Sequence, residues 1–138
     1  MERFCDSLRI STDKSLLSIE SIRGFLNKSY WASGRPVEKI KMSIDNSICF
    51  GVYYKEKQVG FARVVTDYAS MYWVADVFID EGYRGRGLGK RLIGYIVEQE
   101  ELKGLKGILG TRDAHGLYEQ YGFIKDRERF MLRQPSGV

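Results

Sequence analysis

The sequence predicts a mixed α/β (α+β) fold in which helices pack on a mostly antiparallel sheet, and three observations lead there. Ser47 to Tyr54 and Gln58 to Thr66 are β-rich runs separated by the charged turn Lys55-Glu56-Lys57, the pattern of an antiparallel hairpin. A third such run, Tyr72 to Ile79, passes through the glycine-rich segment Gly82 to Gly89 into an amphipathic helix. Short strand and helix signals then alternate to the end of the chain, which gives the order β, α, α, β, β, β, α, β, α, β.

Taken in order, Leu8 to Ser11 reads as a first strand. Thr12 or Asp13 offers an N-cap for a helix carrying Ile19, Ile22 and Leu26 on one face. Asn27 to Gly34 breaks that helix. Pro36 suits the first turn of a second one, in which Val37, Ile40 and Ile44 recur at spacings of three and four before Asp45 and Asn46 end it. Beyond the hairpin and the third long strand, Leu88, Leu92, Tyr95 and Ile96 form the apolar stripe of the next helix, which Gly104 stops. Gly107 to Thr111 reads as a short strand and Asp113 as the cap of a brief helix through Tyr121. Gly122 stands at that helix's C′ position, and Glu128 to Arg133 reads as a last strand. No repeat, low-complexity stretch or linker interrupts the 138 residues, so one domain over 1–138 is expected.

Composition narrows the function classes. With 43 % hydrophobic and 29 % charged residues the chain is ordinary globular material, neither disordered nor disulfide-dense. No apolar run approaches the ~20 residues of a membrane helix, and Met1, Glu2 and Arg3 lead into mixed polarity instead of a signal-peptide core. No membrane partner and a cytoplasmic location are therefore expected. Cys5 and Cys49 lie far apart and read as buried free thiols, and a lone histidine, His115, makes a metal site improbable. The net charge of +4 is spread among acidic residues, which argues against a nucleic-acid partner. Its one local concentration, Arg84, Arg86, Lys90 and Arg91, is interleaved with glycines and points to a phosphorylated small molecule.

A strand running through glycines into a helix presents free backbone N–H groups and the positive helix end to an anion. Glycines let the backbone approach phosphate oxygens closely, and arginines add charge-assisted bonds. Spacing excludes two rivals. A Walker A loop has a glycine separated by four residues from its Gly-Lys pair, and relative to Gly89-Lys90 that place holds Arg84. A dinucleotide fingerprint G-x-G-x-x-G also fails, because the glycines here are Gly85, Gly87 and Gly89.

What the segment does match is R-x-x-G-x-G, and with it the chain resembles the GNAT acetyltransferase superfamily. The likeness extends back through Ala75-Asp76-Val77-Phe78-Ile79 and forward to Leu117-Tyr118-Glu119-Gln120-Tyr121-Gly122-Phe123. It covers roughly Gly51 onward, while the N-terminal third agrees in element order. The resemblance implies a mostly antiparallel central sheet with helices on both faces and a splay between the fourth and fifth strands. It also implies an enzyme that moves an acetyl group from acetyl-CoA, used as co-substrate without a metal, directly onto an amine. Arg84, Gly85, Arg86, Gly87, Leu88, Gly89 and Lys90 would then hold the pyrophosphate and outer phosphate, and the strand edge at Val77, Phe78 and Ile79 the pantetheine arm. Many members place an asparagine after the fifth strand to bond that arm, where this chain has Thr111, Arg112 and Asp113, so Asp113 enters the cofactor-binding set. Tyr118 falls where the family has a tyrosine near the CoA sulfur, suited to protonate the departing thiolate. A core role for its ring is the alternative reading.

On the acceptor side, strand alternation sets Val77 and Ile79 on one face and Asp76 with Phe78 on the other, so Asp76 is either a catalytic base beside the thioester or a hydrogen-bonded structural carboxylate. His115 is a weaker base candidate. Tyr30 and Trp31, in the break between the first two helices, are expected to line the acceptor site, with Asp67 and Tyr68 as lesser candidates. The acceptor is a small-molecule or peptide amine, and the assembly a monomer or homodimer. A non-catalytic acyl-CoA-binding or sensing module on the same fold is the rival function; it has no need of a proton donor at Tyr118.

Overall fold

The computed structural model describes residues 4–135, with side chains from Asp6 onward. Five strands form one sheet in the order β1-β2-β3-β4-β5. They are β1 (Leu8–Ser11), β2 (Ile48–Tyr54), β3 (Lys57–Thr66), β4 (Met71–Ile79) and β5 (Lys106–Leu109). The first four pair antiparallel with their neighbours, and β5 runs parallel to β4. Four α-helices accompany them: α1 (Ile19–Asn27), α2 (Val37–Asp45), α3 (Leu88–Val97) and α4 (His115–Glu119). The mixed, mostly antiparallel sheet expected from the sequence is therefore present.

Two apolar clusters, one on each face, hold the helices to the sheet. On one face Ile22, Phe25 and Leu26 of α1 and Ile40 and Ile44 of α2 meet Cys49, Phe61 and Phe78. Phe25 and Phe78 stack with ring centroids 5.3 Å apart. On the other face Leu88, Leu92, Ile93 and Ile96 of α3 and Tyr118 of α4 meet Phe50, Val52, Val64, Tyr72 and Val74. Tyr95, expected on the α3 stripe, sits at its margin and is 38 % exposed, with its edge against Phe50. Cys49 is a buried free thiol as expected, and burial pushes its pKa up to about 11. The reading of Cys5 and of the first three residues falls outside what is described.

The structure corrects four local expectations. Asp13 caps only a 3₁₀ turn, Lys14–Leu16, and α1 starts at a separate cap, Ser18, whose hydroxyl accepts the Ser21 N–H at 3.1 Å. Gln58 of β3 accepts the Ser18 N–H at 2.8 Å, and this long-range contact places the helix start. Helix α3 ends at Val97, short of Gly104, because Leu102 turns back to bury itself in the core. Helix α4 begins after Ala114, not Asp113, and Thr111 Oγ1 accepts the Ala114 N–H at 3.0 Å. Last, 124–135 contains no strand: Phe130, Met131 and Leu132 border a groove beside β5 without joining its ladder, and Met131 and Leu132 stay exposed.

The parallel junction of β4 and β5 depends on a missing side chain. Gly107 lies in register with Tyr72, and a Cβ on it would stand 2.5 Å from the buried Tyr72 ring. We expect Gly107→Ala to lower stability by about 1–3 kcal/mol, the usual cost of overpacking, read as a reduced melting temperature. Tyr72→Leu in the same background should recover part of that loss; an unchanged melt for Gly107→Ala would remove this packing argument.

Candidate active site

Strands β4 and β5 pair only from Met71↔Lys106 to Val74↔Leu109, whereas β4 continues to Ile79. Past Val74 the edge of β4 that faces β5 has no strand partner among the described residues, so the expected splay is present at the fourth and fifth strands. On its other edge β4 keeps to β3, but not evenly. Arg63 pairs with Ala75 and Phe61 with Phe78, which leaves Asp76 and Val77 opposite the single residue Ala62. This is a β-bulge. Asp76 occupies the left-handed region with φ +53, a conformation costing roughly 1–3 kcal/mol for a residue other than glycine.

Side-chain bonding offsets that cost. Asp76 is 6 % exposed and accepts three hydrogen bonds: from Trp31 Nε1 to Oδ1 at 2.9 Å, and to Oδ2 from Arg35 Nη1 at 2.7 Å and Arg63 Nε at 2.9 Å. Burial pushes the carboxyl pKa up, but the Arg35 hydrogen bond and the charge and hydrogen bond of Arg63 outweigh it and hold the group below its ordinary value. Arg63 also donates from Nη1 to Ser47 Oγ at 3.1 Å. The expected facing of this stretch holds, with Asp76 and Phe78 toward α1 and α2 and with Val77 and Ile79 toward α3.

The glycine turn follows at once. Gly85 and Gly87 have φ of +79 and +78, which only glycine adopts at little cost, and Gly87 is the N-cap of α3 with no side-chain cap. A Cβ on either would meet no protein atom within 4 Å, so the space over the turn is open. The first-turn N–H groups of α3, from Leu88, Gly89 and Lys90, face that space as a helix N-terminus does. Arg84 is drawn back toward the strand, its Nε donating to Ile79 O at 2.9 Å and its guanidinium over the Phe78 ring. Arg86 lies over Tyr83, and Lys90 is exposed on α3.

Across the splay stands Tyr118, 8 % exposed, its ring edge-on to Phe123. Its hydroxyl has no hydrogen-bond partner among the described residues. Burial first, then the Tyr30 hydroxyl and the Asp113 carboxylate, push its pKa up to about 12. Tyr118 also borders a groove of about 810 Å³ along the outer edge of β5, which contains none of the glycine-turn residues.

The connection between α1 and α2 closes the site from the other face. The Tyr30 hydroxyl accepts the Arg112 N–H at 3.0 Å, and the Arg112 guanidinium lies 3.8 Å from the Tyr30 ring centre. Trp31 meets Tyr30 edge-on and is 41 % exposed. The structure thus brings Tyr30, Trp31 and Asp76 together, sets Tyr118 and Asp113 near Tyr30, and leaves Asp67 in its own loop, bonded to Ser70. Sequence reasoning missed Arg35, Arg63 and Arg112. Arg63 carried a signal, a charge inside the apolar run Val59 to Val65 on the strand next to Asp76. Arg35 and Arg112 carried none, because their partners lie far away in sequence.

A family model described as an acetyltransferase (GNAT) domain matches residues 45–125. A crystal structure from Xanthomonas campestris pv. campestris, described as belonging to the GNAT family, superposes with a TM-score of 0.89 at 39 % identity, covering 95 % of each chain. An uncharacterized N-acetyltransferase, ycf52, of Gracilaria tenuistipitata var. liui is 32 % identical over 75 % of this chain and 57 % of its own. The chain thus spans somewhat over half of that relative. A GNAT family acetyltransferase from Elizabethkingia anophelis with acetyl-CoA bound shares the fold with a TM-score of 0.67 at 17 % identity, over 88 % of this chain and 79 % of that one.

The Asp76 cluster has a measurable pH signature. A carboxylate whose folded pKa is depressed contributes stability above its unfolded pKa and loses it as pH falls through the folded value. Asp76→Asn leaves two guanidiniums facing a neutral amide and should cost about 3 kcal/mol or more at pH 7. The gap in denaturant midpoint between wild type and variant should narrow as pH drops below 3.8. A gap that stays constant down to acid pH would show that the carboxylate charge contributes nothing.

Proposed function

Because the chain belongs to the GNAT acetyltransferase family, we propose that it moves an acetyl group from acetyl-CoA to an amine by direct attack. The observation that carries this reading is the end of β4–β5 pairing at Val74 and Leu109 directly before a left-handed glycine turn on α3. An unpaired strand edge offers main-chain donors and acceptors to an amide-bearing arm, and the helix end offers N–H groups to a pyrophosphate. The two lie in sequence along one short path, from Val77 to Lys90. The Elizabethkingia neighbour of the same fold holds acetyl-CoA.

In this reading Val77, Phe78 and Ile79 act through their backbones, since the Phe78 ring is occupied in the α1 core. Gly85, Arg86, Gly87, Leu88 and Gly89 hold the pyrophosphate. Arg84 fixes the turn to the strand end, while Arg86 and Lys90 serve the outer phosphate. Asp113 stands beside the arm and adds its charge near Tyr118. The amine nitrogen attacks the thioester carbonyl carbon, the C–N bond forms, and the C–S bond breaks with its electron pair on sulfur. The nitrogen of the new bond gives its proton to water, the thiolate takes one from the Tyr118 hydroxyl, and water returns a proton to Tyr118.

The high pKa of Tyr118 keeps its proton in place throughout the neutral range and leaves the hydroxyl free to donate. Asp76 fits a base role poorly, because both oxygens are engaged and two guanidiniums hold it ionised. We assign it the positioning of the bulge instead, with the amine arriving neutral. Tyr30 and Trp31 border the acceptor side.

Two measurements test the reading. Gly87→Val places a side chain over the turn, and acetyl-CoA affinity by calorimetry should fall at least tenfold in a variant whose circular dichroism shows it folded; unchanged affinity would sink the cofactor assignment. Tyr118→Phe should lower kcat about tenfold to a hundredfold, the range of acid catalysis, with acetyl-CoA affinity retained. Equal kcat under rate-limiting chemistry would return Tyr118 to the core and favour a binding module. The wild-type profile should show no alkaline loss due to Tyr118 until pH approaches about 12.

A further inference from the structure

We infer that the acceptor is an α-amino carboxylate with an apolar side chain, and that Arg35 binds its carboxylate beside the β4 bulge. The inference rests on the acetyltransferase reading and deepens it.

Charge is the first argument. Arg35 and Arg63 form ion pairs with one and the same carboxylate, Asp76, and neither pairs with a second acid among the described residues. Two guanidiniums on one carboxylate leave one positive charge over. Arg63 spends its remaining bond on the Ser47 hydroxyl, but Arg35 uses Nη1 alone. Its Nε and Nη2 have no hydrogen-bond partner among the described residues. The Arg35 side chain is 23 % exposed, against 2 % for Asp76, so it keeps an access to solvent that its counter-ion lacks. A guanidinium with two free donors is suited to a planar carboxylate. An amine without an anionic group would meet only the surplus positive charge.

The neighbouring surface supplies the second argument. Along the same face of the sheet, two residues beyond the Arg63↔Ala75 pair, Val65 pairs with Trp73. Both are unusually open for a sheet interior, Val65 at 42 % and Trp73 at 40 %. Ile108 of β5 lies in register with Trp73 and extends the apolar strip. Trp31, itself bonded to Asp76, overhangs from the α1–α2 connection. A carboxylate donor thus sits next to an aromatic and aliphatic platform, and both adjoin the bulge where the β4 edge opens. An α-amino acid matches this order of groups: carboxylate on Arg35, side chain along Val65 and Trp73, and an amine one carbon from the carboxylate at the β4 edge. Attack by that nitrogen forms the amide C–N bond and releases CoA thiol, giving an N-acetylamino acid. The nitrogen's proton passes to water and the thiolate is protonated as in the reaction above.

The test uses the purified full chain, acetyl-CoA and a matched trio of acceptors: phenylalanine, phenylalaninamide and phenethylamine. CoA thiol release should give a kcat/KM at least tenfold higher for phenylalanine than for either other amine. The amide's amine deprotonates more readily, so nucleophile supply works against this ranking and cannot produce it. Arg35→Gln should lower kcat/KM at least tenfold more for phenylalanine than for its amide, so that the acid-to-amide ratio collapses whatever the loss common to both, and Arg35→Lys should partly restore that ratio. Amide turnover equal to or above that of the acid, or equal losses for both in Arg35→Gln, overturns the inference while leaving the acetyltransferase reading in place. Absent acetyl-CoA binding by calorimetry, that reading falls and the inference with it. Should acetyl-CoA bind and none of the trio react, the Trp31 indole N–H resonance decides: a shift with phenylalanine and not with its amide supports the carboxylate site, and equal responses overturn it.

Discussion

Asp76 accepts hydrogen bonds from three residues of two separate chain segments, and that convergence governs the geometry of everything around it. Its backbone is in a conformation unfavourable for an aspartate. Without the Trp31, Arg35 and Arg63 donors the bulge would lose the interaction that offsets its strain, and β4 would tend toward regular pairing with β3. Because a bulge shifts side-chain facing by one residue, regular pairing would also exchange the two faces beyond Ala75. Phe78 would leave the α1 and α2 core, and Val77 and Ile79 would leave the α3 side. One buried carboxylate thus sets which residues of β4 belong to which layer.

The same carboxylate links the glycine-turn side of the opening to the Tyr30 and Trp31 side. Through Trp31 it fixes the α1–α2 connection, whose next residue, Tyr30, is clasped by Arg112 on the far side of the splay. Through the bulge it fixes the strand that runs into Gly85 and Gly87. The β4–β5 opening is therefore framed on one side by the start of α3 and on the other by the Tyr30 and Trp31 loop, with Tyr118 between two protein layers. Each contact is modest alone. Their value lies in closing one ring of constraints around a short stretch of unpaired strand.

Electrostatics divides that ring into two kinds of surface. Around Tyr118 burial dominates, and its phenol keeps its proton. Around Asp76 the guanidiniums dominate, and the carboxylate stays ionised in spite of burial. Burial thus keeps the phenol protonated in one place, and two guanidiniums keep the carboxylate ionised in the other.

Much of this was legible in the chain itself. The hairpin with its charged turn, the long strand, the glycine passage and the Leu88 to Ile96 stripe are local patterns, and local pattern determines local structure when neighbouring residues supply both partners of each interaction. The positive φ of Gly85 and Gly87 was readable because glycine is the residue that such a turn demands. The likeness at Arg84 to Gly89 and at Leu117 to Phe123 pointed to the family for the same reason. Tertiary structure alone decided the rest. The cap of α1 at Ser18 depended on Gln58, forty residues away, and the segment expected as a last strand, Glu128 to Arg133, borders the groove beside β5 without pairing to it. Asp76 was visible as a carboxylate in a β-rich run, but whether it took protons or anchored a bulge depended on Arg35 and Trp31, more than forty residues before it. A side chain's identity is local, whereas its protonation, facing and partners are set by groups that only folding brings within hydrogen-bonding distance.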